Sequence, residues 1–355
     1  MNTKYSIIVP VFNRPDEVRE LLESLTQQTQ KDFEVIIVED GSKKTCKDVC
    51  EQFADILDLH YYVKENGGPG QARNYGAERA HGEWLIILDS DVVLPKGYLN
   101  AVEDGLRGER REERGEFAAF GGPDASHPSF TPVQKAISYS MTSFFTTGGI
   151  RGGKKKLDKF YPRSFNMGIR RDVYQQLGGF SKMRFGEDID FSYRIVEAGY
   201  NPQLIPDAWV WHKRRTDFRK FFRQVYNSGI ARINLEKRHP GTLKLVHLLP
   251  MVFTVGVIAL ILIAAVARAM IHYDAPNWHT WYWICLLALS PILFYSLIIF
   301  IDSSIKNKSL KVGLLSVPAA FVQLMGYGFG FIESWWKRCM MKKDEFQAFE
   351  KNFYK

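Results

Sequence analysis

The 355-residue sequence predicts an α/β domain with a mostly parallel central sheet, followed by helices that cross a membrane. In the first half, short apolar runs typical of buried strands alternate with segments whose apolar residues recur at helical spacing. Such alternation indicates a parallel sheet covered by helices on both faces. In the second half, three nearly uncharged apolar runs of about 20 residues each have the length that a helix needs to cross the hydrocarbon core.

Four strand-like runs define the first half of the predicted sheet. They are YSIIV, EVIIV, LHYYV and WLIIL, at residues 5–9, 34–38, 59–63 and 84–88. Pro15 predicts a helix start after the first strand, and four apolar residues between positions 18 and 25 form one stripe. A helix through Val49 follows the second strand, a helix over about 71–80 follows the third, and one more helix follows Pro95 after the fourth.

Beyond residue 116 the pattern becomes mixed α+β. FAAFGG at 117–122 and SFNMGI at 164–169 predict strands, and the loop TTGGIRGGKKK at 146–156 between them is expected to be mobile. Residues 184–200 predict a loop that runs into a helix, and NPQLIPDAWVWH at 201–212 predicts a pair of strands. A long helix rich in phenylalanine then leads towards the membrane.

Composition and charge narrow the class of protein. A hydrophobic content of 46% supports a sizeable core, and the four cysteines fit reduced thiols. No basic segment followed by a long apolar segment precedes the first strand, so we expect the N-terminal domain to stay in the cytosol. The net charge of +8 is concentrated at 151–160, at 212–223 and around the apolar runs. This distribution suits lipid headgroups or a diphosphate better than nucleic acid, although a merely solvated face explains either cluster equally well.

The apolar runs cover residues 248–267, 281–301 and 312–332. The first two are joined by residues 268–280, whose aromatic side chains predict an interfacial belt on the outer side of a hairpin. The third run contains Pro318, Gln323 and glycines at 326, 328 and 330, and it precedes a basic tail. A re-entrant or kinked segment that keeps this tail inside is therefore favoured slightly over a full crossing.

We accordingly expect three parts in this chain. They are a cytosolic domain over 1–240, a membrane domain over 241–336 with two transmembrane helices plus a third transmembrane or re-entrant segment, and a basic tail over 337–355.

Acidic side chains end two of the predicted strands. EDGS at 39–42 closes the second strand and DSD at 89–91 closes the fourth. Because ligands of parallel sheets bind at the carboxyl ends of the strands, the crevice suits cations or hydroxyl groups. In an extended chain Asp89 and Asp91 project to one side while Ser90 points away, and two such carboxylates can hold a hard divalent cation. The alternative is that one carboxylate caps the following turn and the other is solvated.

Five motifs occur together: SIIVPVFNR, VIIVEDGS, ENGGPGQARNYG, the strand that ends in DSD, and GEDIDFSYR. Their order and spacing resemble those of family-2 glycosyltransferases with the GT-A fold, over residues 5 to about 235. The chain looks most like membrane-anchored bacterial enzymes that build cell-surface polysaccharide. The resemblance implies a nucleotide-diphosphate sugar donor, with a UDP-sugar favoured, and Mn²⁺ or Mg²⁺. It also implies a location at the bacterial cytoplasmic (inner) membrane with the catalytic domain facing the cytosol.

The resemblance also places the donor. The implied nucleotide-binding residues are Pro10, Val11, Asn13, Glu39, Asp40, Arg73, Asn74 and Asp89. The family usually has two aspartates where this chain has Glu39 and Asp40, so Asp40 is the stronger candidate for the edge of the base. For Arg73 an exposed structural position on a helix is the alternative.

Asp91, helped by Asp89, is the expected metal ligand, and the resemblance gives His212 a role as third ligand or diphosphate contact. From the residues alone, a histidine that ends a strand is more often structural. The loop at 148–156 is expected to close over the donor.

GEDIDFSYR at 186–194 allows two interpretations. Acids at a helix start are favoured by the helix dipole, and Asp190 and Arg194 are spaced to pair on the helix. A transferase, however, needs a base for the acceptor hydroxyl. The resemblance makes Asp188 this catalytic base, with Glu187 or Asp190 as alternatives.

The remaining expected contacts concern the acceptor or the diphosphate. They are Asn166, Asp190, Arg214 and Arg232. The helix that carries Arg232 reads FRQVYNSGIARINL and lacks the Trp that follows Arg in the Gln-x-x-Arg-Trp motif of processive synthases. This departure favours transfer of a single sugar over polymerisation. Together with the resemblance, it leads us to expect an inverting transfer with a polyprenyl-diphosphate-linked glycan as the acceptor. Polyprenyl phosphate is the alternative acceptor, and a scaffold that keeps the fold without turnover is the alternative class of protein. Nucleic acid is not an expected partner.

Overall fold

The structure is a computed structural model that describes residues 3–108, 116–127, 129–147, 160–273 and 276–344. These residues form two compact units. The first unit is built from described residues of Met1–His127 and Lys154–Lys213, and the second from those of Pro128–Gly153 and Arg214–Asp344. Residues 214–240, which the sequence assigns to the N-terminal domain, therefore lie in the second unit, and the boundary at residue 240 stays a prediction.

The first unit contains strands and six helices among its described residues. The strands are β1 (Tyr5–Val11), β2 (Phe33–Asp40), β3 (Leu59–Lys64), β4 (Trp84–Leu88), β5 (Val92–Val93), β6 (Ala119–Gly121), β7 (Asp124–Ala125), β8 (Asn166–Arg170), β9 (Gln203–Leu204) and β10 (Val210–His212). The helices are α1 (Pro15–Thr26), α2 (Lys47–Glu51), α3 (Pro69–Ala77), α4 (Tyr98–Gly108), α7 (Arg171–Gln176) and α8 (Glu187–Glu197). The four strands and their following helices in the first half are confirmed, with ends shifted by a few residues.

The main sheet has seven strands in the order β3-β2-β1-β4-β8-β6-β9. Strands β1 to β4 are mutually parallel, and β8 runs antiparallel between β4 and β6. Apolar residues of β1, β2 and β4 are buried on both faces of the sheet, as predicted for a covered parallel sheet. The apolar stripe of α1 is fully buried against one of these faces.

A second sheet of three strands, in the order β5-β10-β7, lies beyond the end of β4. The sequence predicts that residues 201–212 form a pair of strands, and this pairing is wrong. β9 pairs with β6 in the main sheet, whereas β10 pairs with β5 and β7. The consequence matters for the site, because β5 begins directly after Asp91 and β10 ends on His212.

The second unit is helical within its described residues. Its helices are α5 (Pro132–Thr142), α6 (Phe144–Thr147), α9 (Phe218–Arg238), α10 (Leu249–His272), α11 (Trp278–Asn307) and α12 (Leu310–Trp335). Three helical segments are long and apolar enough to span a membrane: Leu245–His272, Trp278–Asn307 and Leu310–Met340. The third run is one continuous helix through Pro318, and no re-entrant hairpin is seen at these residues. The side of the membrane on which each end lies stays a prediction.

Glycines let α9 and α12 pack backbone against backbone. A Cβ at Gly330 would lie 2.0 Å from the carbonyl oxygen of Tyr226, and a Cβ at Gly229 would lie 2.2 Å from that of Tyr327. Any larger residue at either position would force the helices apart. The basic, phenylalanine-rich helix α9 is thus held directly against the most buried of the three apolar helices.

Candidate active site

The DSD motif forms a turn at the carboxyl end of β4. The backbone N–H of Val92 donates to the carbonyl oxygen of Asp89 at 3.3 Å, so residues 89–91 are not the extended chain from which their common direction was predicted. Ser90 is buried, and both aspartates nevertheless face the same site. A turn, rather than strand alternation, therefore brings the two carboxylates together.

His212 reaches these carboxylates because β10 pairs with β5. His212 lies opposite Val92, and the N–H of Lys213 donates to the carbonyl oxygen of Asp91 at 3.0 Å. The imidazole Nε2 lies 3.3 Å from an oxygen of Asp91 and 4.0 Å from an oxygen of Asp89. Phe165 stacks on the ring with centroids 5.0 Å apart, which fixes its plane.

The donor set fits a divalent cation. Ligand atoms of Asp89, Asp91 and His212 all lie within 4.8 Å of one another. Carboxylates suit Mn²⁺ and Mg²⁺, while a nitrogen ligand is better tolerated by Mn²⁺ than by the harder Mg²⁺. Among the described residues this is the only such cluster of three acidic, histidine or cysteine ligands.

Arg14, at the start of α1, forms an ion pair with Asp91. Burial tends to raise the pKa of Asp91, but the hydrogen bond to His212 and the charge of Arg14 together hold that pKa well below its usual range. The carboxylate is therefore ionised at neutral pH, as a metal ligand must be.

The second acidic pair, Glu187 and Asp188, begins α8. Arg73, with only 3% of its side chain exposed, bridges the two pairs: it donates to Asp89 at 2.8 Å and to Glu187 at 3.1 Å. Arg163 donates to Asp188 at 2.7 Å. The two pairs are thus joined through one buried guanidinium.

Glu187 and Asp188 titrate differently although they are neighbours. Burial and the adjacent charge of Asp188 raise the pKa of Glu187 to about 7, against the opposing effect of Arg73. Burial also tends to raise the pKa of Asp188, but Arg163 outweighs it and lowers that pKa below its ordinary value. Asp188 is consequently the ionised member of the pair at neutral pH.

Several predicted donor residues are engaged within the protein. The Asp40 carboxylate accepts from Lys64 Nζ and from the N–H groups of Gly67 and Gly68, each at 2.8 Å, and so fixes the glycine-rich loop. Glu39 is buried and accepts from the N–H of Cys46. Pro10 and Val11 are buried in β1, with only their backbone suited to line a pocket.

Asn13 and Asn74 also tie segments of the chain together. Asn13 adopts a positive φ of 56°, and its side-chain oxygen accepts from the N–H groups of Lys43 and Lys44. The amide of Asn74 accepts from Phe180 N and donates to Phe180 O, each at 2.8 Å. The predicted contacts of these residues with a nucleotide stay predictions.

Two residues predicted to contact the acceptor, Asn166 and Asp190, are engaged within the protein, and their acceptor contacts stay predictions. Asn166 is 0% exposed, accepts from the hydroxyl of Tyr98 and donates to the carbonyl of Ala208, so its amide holds the fold together. Asp190 is buried and accepts from Ser181 and from Arg194. The pairing with Arg194 is the structural alternative that the sequence spacing indicated.

Other predicted positions lie elsewhere in the chain. Arg214 and Arg232 belong to the second unit, where the carbonyl of Arg214 accepts from Gln134 and the guanidinium of Arg232 donates to Thr242. Their contacts with acceptor or diphosphate stay predictions. The loop expected to close over the donor, at 148–156, lies outside the described residues.

Three site residues were not predicted. Arg14 stands at the carboxyl end of β1, at the same sheet edge as the acidic motifs, so its position alone was a usable signal. Arg163 and Phe165 precede β8, and nothing in their local sequence announces contacts with Asp188 and His212.

Comparison with known proteins relates part of the chain to a family. Residues 6–178 match the model of "Glycosyl transferase family 2". This region is a family 2 glycosyltransferase domain. The family 2 domain overlaps the first unit, which carries both acidic pairs.

Related proteins agree with this assignment. The chain is 26% identical to the glycosyltransferase AglE of Haloferax volcanii over 240 residues, which cover 65% of this chain and 73% of AglE. It is 39% identical to an uncharacterized glycosyltransferase of Rickettsia felis over 151 residues, which cover 42% of this chain and 23% of that one. It is 49% identical to one of Haemophilus influenzae over 86 residues, or 24% of this chain and 29% of that one. The chain thus spans less than a third of the latter two relatives.

A solved structure confirms the predicted GT-A fold. The mannosyltransferase PcManGT from Pyrobaculum calidifontis, in complex with GDP-Man and Mn²⁺, superposes with a TM-score of 0.56 at 15% identity. The superposition covers 95% of this chain and 88% of that one. The glycosyltransferase domain of this chain is therefore a GT-A domain followed by three long apolar helices.

Proposed function

We propose that this protein transfers a single sugar, with inversion, from a nucleotide-diphosphate sugar to a membrane-associated acceptor. The observation that carries the proposal is the buried link Asp89–Arg73–Glu187, which joins a cation-binding cluster to a carboxylate pair containing an ionised base. Binding a charged donor and removing a proton from an acceptor are the two tasks of such a transfer.

The residues divide these tasks. Asp89, Asp91 and His212 would hold Mn²⁺ or Mg²⁺, which offsets the charge of the departing diphosphate. Asp188 accepts the proton of the acceptor hydroxyl as that oxygen attacks the anomeric carbon from the face opposite the diphosphate. The bond to the acceptor oxygen forms as the bond to the diphosphate breaks, so the configuration inverts.

The three long apolar helices support a lipid-linked acceptor. We infer a polyprenyl-diphosphate-linked glycan in cell-surface polysaccharide synthesis at the bacterial cytoplasmic membrane, with the GT-A domain facing the cytosol. A UDP-sugar is the favoured donor from the sequence, and the GDP-Man of PcManGT makes GDP-sugars the second donor class to test.

The test uses the full chain in lipid nanodiscs with UDP- and GDP-sugars and Mn²⁺, Mg²⁺ or EDTA. Released nucleoside diphosphate and glycosylated lipid are measured, with polyprenyl phosphate and a polyprenyl-diphosphate-linked glycan as acceptors. We expect metal-dependent transfer to the glycan acceptor and a product of inverted anomeric configuration. Transfer to polyprenyl phosphate alone would show that this lipid, and not the lipid-linked glycan, is the acceptor. A product of retained anomeric configuration would rule out a single displacement.

A variant separates an enzyme from a scaffold. Asp188→Asn should stop transfer while Mn²⁺ still binds to the wild-type extent. If the wild type transfers nothing to either acceptor from any donor, the non-catalytic scaffold becomes the better description.

A further inference from the structure

The second unit contains a short break between two helices. The residues at the tip of this break, 143–147, include two exposed phenylalanines. Helix α5 ends at Thr142, Ser143 takes an extended conformation, and α6 covers Phe144–Thr147. Apolar side chains of α5 pack on α12 and α9: Ala136 contacts the cluster that includes Val312, and Ile137 contacts the cluster that includes Phe221. The break is therefore held against the helices that are apolar enough to span a membrane.

Two hydrogen bonds show beside which part of α11 the break lies. The hydroxyl of Tyr139 donates to Asp302 at 2.7 Å, and the hydroxyl of Tyr295 donates to the carbonyl of Phe145 at 3.2 Å. Tyr295 precedes Asp302 by seven residues, or about 10 Å along a helix that rises 1.5 Å per residue. The intervening residues carry no charge, whereas Asp302 and Lys306 lie beyond them. Phe145 thus lies beside the apolar part of α11, and Tyr139 lies beside its charged end.

Side-chain hydroxyls donate hydrogen bonds to the backbone carbonyl groups around the break. Thr146 donates to the carbonyl of Ser140 at 2.5 Å and to that of Ser143 at 3.0 Å, and Thr147 donates to that of Ser143 at 2.9 Å. Thr142 donates in the same way to the carbonyl of Ser138. Non-helical backbone at membrane depth requires such internal partners, because hydrocarbon offers none.

The apolar side chains at the tip point outwards. Phe144 is 69% exposed and Phe145 is 42% exposed, with their rings 5.9 Å apart. At the same level along α11, within two residues of Tyr295, Leu293, Phe294 and Leu297 are also exposed and apolar. The phenylalanines therefore lie at the level of helix residues suited to lipid.

We infer that residues 143–147 form a membrane-inserted tip whose phenylalanines enter the hydrocarbon edge of the leaflet that contains Asp302 and Lys306. This contact is additional to the three long helices, and it comes from a segment that lies between β7 and β8 in the sequence. The inference goes beyond the proposed sugar transfer and does not depend on it. In this inference, the segment between β7 and β8 attaches directly to the bilayer.

Spin-label depth measurement tests this contact. The full chain carries Cys285→Ala and Cys339→Ala, which leaves the buried Cys46 and Cys50, and a nitroxide is attached through Phe144→Cys. Phe145→Cys is the second labelling site if the first variant fails to fold. Glu51→Cys, at an exposed position of α2 in the first unit, is the matched control. Each protein is placed as one copy in a nanodisc, and collision with oxygen and with a water-soluble nickel chelate is measured.

The inference predicts that the label at 144 collides with oxygen in preference to nickel, at a depth of about 5–10 Å below the headgroup boundary. The label at 51 should collide mainly with nickel. Equal nickel access at the two positions would show that the tip lies in water and would overturn the inference. Shielding from both reagents would mean that protein covers the tip, which also overturns it. Neither readout requires sugar transfer, so the two proposals fail separately.

Discussion

The two acidic pairs of the first unit use similar residues for different ends. Asp89 and Asp91 converge on His212, and their ligand atoms lie close enough to share one cation. Glu187 and Asp188 instead contact different arginines, Arg73 and Arg163, so they do not share a partner. The first arrangement brings two carboxyl groups together at one point. In the second arrangement the two carboxyl groups differ in pKa.

This difference shows that the partners of a carboxylate decide its chemistry more than its sequence motif does. His212 and Arg14 keep Asp91 ionised and available as a ligand. Burial and the charge of Asp188 leave Glu187 with a pKa of about 7, whereas Arg163 outweighs burial at Asp188 and keeps that carboxylate ionised. Arg73 contacts one member of each pair, Asp89 and Glu187, but neither Asp91 nor Asp188 is hydrogen-bonded to it. The following variants test whether the two tasks are separate.

Asp188→Asn should have the largest effect. Loss of a base positioned for proton transfer lowers kcat by about 10²–10⁴-fold. Mn²⁺ affinity, measured by electron paramagnetic resonance without substrate, should stay unchanged because the metal cluster is intact. Asp104→Asn, the same change at an exposed position of α4, is the control. If transfer survives in Asp188→Asn and is lost in Glu187→Gln, the base is Glu187 instead.

Asp91→Asn should show the opposite profile. Removing a direct ligand should weaken Mn²⁺ binding by about 100-fold or more, since even indirect supporting residues contribute 10–100-fold. The melting temperature should change little, because the released Arg14 is partly exposed and can be hydrated. Unchanged Mn²⁺ affinity would show that Asp91 is no ligand. Loss of folding would give the motif a structural role.

The sequence predicted those features that follow from the order of elements along the chain. Buried strands that end in acids placed Asp89, Asp91 and Asp40 at one sheet edge, and the motifs identified Glu187 and Asp188. Contacts between distant segments did not follow from local patterns. Arg163 reaches Asp188 from 25 positions away and was not predicted, and His212 reaches Asp91 from more than 100 positions away, a contact that only the family resemblance indicated. Burial of Asn166 likewise depends on β8 lying inside the sheet, which no local pattern shows.

Arg163→Gln should have a moderate effect that is specific to the second pair. Arg163 lowers the pKa of Asp188, so removing its positive charge should raise that pKa and move the acid limb of the kcat/KM profile to higher pH by about one pH unit. Arg163→Lys keeps the charge and should restore most of the limb. Mn²⁺ affinity should be the same in all three proteins. An acid limb that stays in place would show that Arg163 does not control the ionisation of the base.

The smallest effect should be a pH-dependent stability difference at Glu187. Its folded pKa of about 7 exceeds the ordinary value of 4.5, so between these pH values the folded protein holds a proton that the unfolded chain has lost. Stability therefore falls as pH rises through this window, while the lowered pKa of Asp188 acts only at more acidic pH. Glu187→Gln removes the penalty, and its melting temperature should gain a few degrees on the wild type between pH 5 and pH 8. The exposed Glu23→Gln on α1 should show no such trend. If the melting temperatures of the wild type and Glu187→Gln change in parallel across this pH range, Glu187 is ionised throughout it. The two carboxyl groups of the second pair would then be equivalent.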